Sequence, residues 1–190
     1  MNQTANNIKQ RLSLREPLCE ALDMVAQITE VLSLEKQTID TDLESFLKNE
    51  LLKVKTICPI CTNFERDFPS VAFSIATGIG KTRLMAACIV YLYLKKGIRH
   101  FFVLAPNLTL YEKLIRDFSN TSYSKYAFKG IAELVHNQPV VITGENYEQA
   151  RGLFSENDIQ INVFNIAKFN SDSKESKKGA PRMKCLSEYL

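Results

Sequence analysis

Apolar positions along this chain follow helical spacing at the front and strand-like clustering further on, and the change falls near Ser70. In LREPLCEALDMVAQITEVLSL, Leu18, Leu22, Val25 and Leu32 recur at roughly helical intervals, and Pro17 suits a first turn, where its missing N–H has no partner to lose. A second helix is expected over TDLESFLKNELLKV. Thr41 and Glu44 make a capping box there, and Leu43, Phe46, Leu47, Leu51 and Val54 share one face. Residues 1–13 are polar and are expected to fray. These front helices read as padding for the edge of a core.

After Ser70 the elements alternate. SVAFSI predicts a short buried strand, followed by the glycine-rich ATGIGKT and then a helix over TRLMAACIVYLYLKK that Gly97 closes. HFFVLAP is the next expected strand. Thr109 and Glu112 make a second capping box, opening a helix with Leu110, Tyr111, Leu114, Ile115 and Phe118 on one side. PVVIT and IQINVFNI predict further strands. Strands alternating with helices point to an α/β fold, a mostly parallel sheet with helices on both faces. The polar stretch NSDSKESKKGAPRMK is expected to be a loop with solvated lysines.

Composition changes this picture little. The 190 residues suffice for one substantial domain, and 45% hydrophobic with 24% charged residues is ordinary for a globular protein. A net charge of +3 permits an acidic partner without arguing for one. No signal peptide is recognisable, and no apolar run approaches the ~18 residues of a membrane span. With an odd count of 5 cysteines, this favours reduced thiols and a cytoplasmic location. Cys58 and Cys61 form a lone CPIC. It lacks a second pair, and His100 and His136 lie elsewhere, so a connecting turn is favoured over a metal or redox site.

The glycine loop carries the chemistry. Gly78 and Gly80 let the backbone wrap closely around an anion, and the N-terminus of the following helix adds its positive dipole end. Lys81 can reach the outer phosphates of a nucleotide, and the Thr82 hydroxyl can serve as a magnesium ligand. Ile75 stands where the strict phosphate-loop pattern has its first glycine, a relaxation that helicase loops share. A glycine turn that binds nothing is the alternative. Lys81 and Thr82, which serve no obvious folding purpose there, weigh against it.

FPSVAFSIATGIGKTRLMAACIVYLYLKKGIRHFFVLAPNLTLYEKLIRDFS resembles the amino-terminal motor of the restriction (Res) subunit of type III restriction enzymes, within the superfamily-two, DEAD/DEAH-type helicases. ATGIGKT is similar to motif I and VLAPNLTLYEKL to motif Ia, with the close match running from Phe68 to Glu133. The resemblance implies a RecA-like P-loop NTPase domain over 68–190, incomplete at its carboxyl end, and a helical segment over 1–67 leading into it. It implies ATP and Mg2+ as cofactors. Thr77, Gly78, Ile79, Gly80, Lys81, Thr82 and Arg83 take the phosphate-binding positions, Lys81 and Thr82 act in catalysis, and Thr82 holds the metal.

It also implies contact with double-stranded DNA and a modification (methyltransferase) subunit that reads the recognition site. Ala105, Pro106 and Asn107 match the segment that touches the nucleic-acid backbone, and Asn165 and Lys168 in VFNIAKFN match a later segment near the DNA track. For Pro106 and Asn107, turn and helix-cap chemistry is an equally good account.

Two departures stand out. Leu18 occupies the place where such helicases commonly carry an adenine-reading glutamine, with Arg15 nearby as a substitute contact. Motif II, Asp-Glu-x-His, is absent: the chain has no Asp-Glu dipeptide, and Glu145 after VVITG is a poor replacement. The expectation is therefore the ATP-binding part of a longer, DNA-translocating restriction endonuclease, inactive in hydrolysis by itself. The alternatives are another superfamily-two helicase acting in repair or on RNA, and a nucleotide-binding module without turnover.

Overall fold

In the computed structural model, which describes residues 2–34, 42–146 and 158–166, the polar start of the chain is a helix and not a frayed end. Helix α1, Gln3–Arg11, is capped by the Asn2 side chain, which accepts from the Ala5 N–H. Ala5, Ile8 and Leu12 recur at helical spacing among the polar residues, and all three are buried. Side-chain hydrogen bonds also tie α1 to helix α4, Lys81–Lys96. Asn2 Nδ2 donates to the Tyr91 hydroxyl at 2.7 Å, and Arg83 Nη1 donates to the Leu12 carbonyl at 3.1 Å. The start of α1 therefore meets the far part of α4, and its end meets the first turn of α4. The two run antiparallel.

Helix α2, Glu16–Val31, has Pro17 in its first turn and buries Leu18, Ala21, Leu22, Ala26 and Ile28. Lys9 pairs with Asp23 at 2.5 Å, tying α1 to α2. Helix α3, Leu43–Ile57, starts after Asp42, so the expected opening is right by about one residue. Thr41 of the expected capping box lies outside the described residues. On the expected apolar face Val54 is buried, Phe46, Leu47 and Leu51 are half-buried, and Leu43 is exposed. Glu50, 2% exposed, accepts from the Ser33 N–H at 2.8 Å and pairs with Lys53 at 2.5 Å. It satisfies the end of α2 from the side of α3.

The strand expected over SVAFSI does not form: among the described residues, the three strands hydrogen-bond only to one another. Val71 is 36% and Phe73 38% exposed. An apolar run signals that a segment wants a covered, paired environment. It cannot supply the neighbouring strand whose N–H and C=O groups would complete the ladder.

By its contacts the chain divides into two compact units, Met1–Tyr91 and Leu92–Leu190, with the division inside α4. Gly97 ends α4 at φ +68°, where its N–H donates to the Tyr93 carbonyl and that of Ile98 to Leu92.

The second unit contains a parallel sheet of β1, His100–Ala105, β2, Val140–Thr143, and β3, Gln160–Asn165, in the order β1-β3-β2. All three strands were expected, and the parallel α/β class holds. The register pairs Val103 with Val163, Ala105 with Asn165 and Val141 with Ile161. Helix α5, Leu108–Ser119, packs against every strand and buries Tyr111, Leu114 and Phe118, while Leu110 stays exposed. On β1 and β3, Phe102 stacks on Phe164 with centroids 5.1 Å apart.

The expected cap of α5 is corrected. Asn107, not Thr109, sits at the cap, and its Oδ1 accepts from the Leu110 N–H at 2.9 Å. Asn107 has extended backbone, which frees its side chain to reach into the first turn; Thr109 is already helical and cannot do so. The polar stretch expected as a C-terminal loop lies outside the described residues.

Candidate functional site

The loop before α4 turns through two glycines with positive φ, Gly78 at +76° and Gly80 at +116°. The reasons differ. A β-carbon on Gly78 would meet nothing within 4 Å, so only its backbone conformation calls for glycine. One on Gly80 would come within 3.2 Å of Leu18 Cδ1, so here crowding adds to conformation. The Gly80 carbonyl accepts from the Arg83 N–H at 2.9 Å and the Leu84 N–H at 3.1 Å, closing the first turn of α4.

At that end of the helix no acidic residue in the first turn offsets the positive dipole end. Lys81 is exposed and Thr82 half-buried, while Thr77 and Gly78 lie open on the outer side of the turn. A concave backbone with an exposed cation and a hydroxyl beside it suits a polyphosphate and its magnesium ion.

Arg83, expected among the phosphate-binding residues, directs Nη1 to the Leu12 carbonyl and so joins the loop-bearing turn to the end of α1. Leu18 is 1% exposed. It supports the underside of the loop, a role that requires an apolar residue and leaves no hydrogen-bonding group there for a base. Sequence reasoning missed this support. Only the tight approach to Gly80 reveals it.

In the second unit, the carboxyl ends of β1 and β3 bring together the residues expected to track nucleic acid. Ala105 pairs with Asn165, and the chain leaves β1 through exposed Pro106 and Asn107. Asn165 itself is 7% exposed. Lys168 lies outside the described residues. In open α/β sheets, this edge is where ligands are received.

Glu145 follows β2 at the same edge. The turn holding it is built by Thr143 and Asn146: the Thr143 N–H donates to Asn146 Oδ1 at 2.6 Å, and Asn146 Nδ2 donates to the Val141 carbonyl at 3.2 Å. The Tyr111 hydroxyl donates to Glu145 Oε2. Burial first, and then this carboxylate, pushes the Tyr111 hydroxyl up to about 12. Glu145 thus serves as an acceptor that fastens α5 to the end of β2. Among the described residues no group of three or more His, Cys, Asp and Glu side chains is placed to hold a metal ion. None of the described helices is long and apolar enough to cross a membrane.

Comparison with known proteins agrees with these features. Over 70 residues the chain is 36% identical to the Probable type III restriction-modification enzyme HindVIP Res subunit of Haemophilus influenzae. That match covers 33% of this chain and 13% of the relative, so the chain spans a small part of it. No solved structure is significantly similar. The family model described as type III restriction enzyme, res subunit, matches residues 23–185, taking in the glycine loop, α4 and all three strands. With that span covered, the chain belongs to the Res-subunit family of type III restriction enzymes.

Proposed function

We propose that the chain binds ATP with magnesium at Thr77, Gly78, Ile79, Gly80, Lys81 and Thr82, and that in the longer enzyme this ATP drives movement along double-stranded DNA. The family is one of helicase-type ATPases of restriction enzymes. The observation that carries the reading is the pair of positive-φ glycines feeding directly into exposed Lys81 at the uncompensated N-terminus of α4. Backbone N–H groups hold the phosphates, and Lys81 neutralises the outer ones. The Thr82 hydroxyl would be the chain's ligand to the magnesium ion that accompanies the nucleotide. Arg83 completes the proposed set, and its Nη1 also steadies the turn through the Leu12 carbonyl.

Pro106, Asn107 and Asn165 lie at the proposed DNA-facing edge, and Lys168, outside the described residues, is proposed as a further contact from the sequence alone. Their contacts are to phosphates, which position and do not specify, so a modification subunit supplies the choice of site. The chain alone binds without turnover. Glu145, the acidic residue nearest in sequence to a motif II position, is engaged by Tyr111, and no Asp-Glu pair exists to hold magnesium and orient water.

Calorimetric titration of ATP with magnesium into this protein and into Lys81→Ala tests the reading. A charge-assisted contact contributes roughly 1.5–3 kcal/mol, so affinity should fall about 10- to 100-fold in the variant. Equal affinity in the two proteins removes the loop from the account of nucleotide binding.

A further inference from the structure

The CPIC turn is more than a connection. Cys58 ends α3, its N–H donating to the Val54 carbonyl at 2.8 Å, and Val54 is 0% exposed. The Cys61 N–H then donates to the Cys58 carbonyl at 3.0 Å, closing a turn over Pro59 and Ile60. Proline at the second position of such a turn has its φ already set. One end of the turn is therefore anchored in the core, and the other is held back against it. The result is that the two thiols touch: Cys61 Sγ donates to Cys58 Sγ at 3.3 Å.

We propose that Cys58 and Cys61 form a dithiol site that a low-molecular-weight disulfide converts to an intramolecular disulfide. A disulfide has its sulfurs about 2.05 Å apart, so closure needs a movement of only about 1 Å, within reach of side-chain rotation. Both thiols are half-buried and Ile60 between them is 87% exposed, so a small reagent has access. The other described cysteines differ. Cys88 is pushed up to about 12 by burial, and Cys19 directs its thiol to the Leu14 carbonyl. A metal site is not favoured, because no third His, Cys, Asp or Glu completes a set among the described residues.

The chemistry is exchange. Cys61 donates the S–H···S bond and Cys58 accepts it, and donating to Cys58, with burial, raises the Cys61 thiol. Cys58, which accepts that bond, is the attacking sulfur in the exchange. Its thiolate attacks one sulfur of the reagent, forming a mixed disulfide and releasing the other half as thiolate. Cys61 then loses its proton and attacks Cys58 Sγ, expelling the second half. One reagent disulfide is reduced to two thiols, and the protein dithiol is oxidised by two electrons.

The test is equilibration of the whole chain in glutathione buffers of graded ratio, followed by acid quenching, alkylation and peptide mass spectrometry, under native conditions and in denaturing urea. The expected result is a peptide spanning residues 58–61 that is two hydrogens lighter, while Cys19 and Cys88 remain alkylated. Half-oxidation of the native protein should come at a ratio at least about tenfold more reducing than in urea, a shift of about 30 mV. Cys61→Ser should accumulate glutathione on Cys58. Equal oxidation in the native and denatured chain overturns the proposal. So does full alkylation of both thiols throughout, pairing of either with Cys185 or with another copy, or absence of the adduct in Cys61→Ser.

Discussion

Leu18 Cδ1 lies 3.2 Å from where a β-carbon on Gly80 would stand, so the first turn of α2 lies directly against the glycine loop. Gly80 also has φ at +116°, a backbone region that residues with a β-carbon rarely adopt. Gly80→Ala should therefore lower stability by about 1–3 kcal/mol in urea unfolding. Leu18→Ala relieves the crowding and leaves the backbone strain. Adding Gly80→Ala to Leu18→Ala should thus still destabilise, but by less than in the native background. Additive effects would show that the two residues do not meet.

Lys81 and Arg83 should separate cleanly. Arg83 donates to the Leu12 carbonyl, so Arg83→Ala removes a hydrogen bond between α4 and α1 and should lower stability by about 1 kcal/mol. Lys81 is exposed, and Lys81→Ala should leave stability within about 0.5 kcal/mol while nucleotide affinity drops. Thermal melts beside calorimetry decide it. A Lys81→Ala protein as unstable as Arg83→Ala would make Lys81 a folding residue.

Asn107 caps α5 and is proposed to face DNA phosphates, and two substitutions pull these roles apart. Asn107→Ala loses the cap, about 1 kcal/mol, whereas Asn107→Asp keeps the acceptor and suits the helix dipole. Duplex binding, followed by fluorescence anisotropy, should weaken in Asn107→Asp although its stability is retained. Binding should also fall steeply with salt and ignore sequence. Tight, sequence-selective binding at physiological salt would refute the backbone-contact reading.

Tyr111 gives a pH dependence. Its hydroxyl is raised to about 12 in the fold, above the ~10 of a free tyrosine, so folding favours the protonated form. The stability this adds is fully present below about pH 10 and is lost as pH rises through about 12. Tyr111→Phe removes the bond to Glu145 and should flatten the alkaline fall in stability between those values. Unfolding curves from pH 8 to 12 with identical slopes for both proteins would exclude Tyr111 as the titrating group.

Turnover should be absent. Phosphoryl transfer needs a cradle, a well-held magnesium, a positioned water and positive charge on the terminal phosphate, and an arginine finger alone contributes about 10³–10⁵ in rate. The chain offers the cradle, Lys81 and Thr82, with no Asp-Glu pair. A phosphate-release assay should read background with or without DNA. DNA-stimulated release that disappears in Lys81→Ala would mean that a complete site exists here.

Much of the fold was legible because it depends on local patterns. The α2 and α4 boundaries followed from Pro17 and Gly97, whose backbone preferences act wherever they stand. β1, β2 and β3 followed from short apolar runs between breakers, and the glycine loop followed from residue types that serve one chemistry. The misread parts depend on neighbours. In α1, Ala5, Ile8 and Leu12 make a stripe too thin to signal a helix among polar residues, and packing buries all three. SVAFSI reads as a strand because apolarity does not reveal whether a pairing edge is available.

The sequence alone determined which residues are proposed to bind phosphate, since Gly78, Gly80, Lys81 and Thr82 carry suitable chemistry in their covalent structure. Only the tertiary structure decided what supports them: Leu18 beneath Gly80, Leu12 receiving Arg83, and Tyr111 engaging Glu145. Backbone conformation and side-chain chemistry are properties of a residue and its immediate neighbours. Contacts between residues far apart in the chain exist only once packing has brought the helices and strands together.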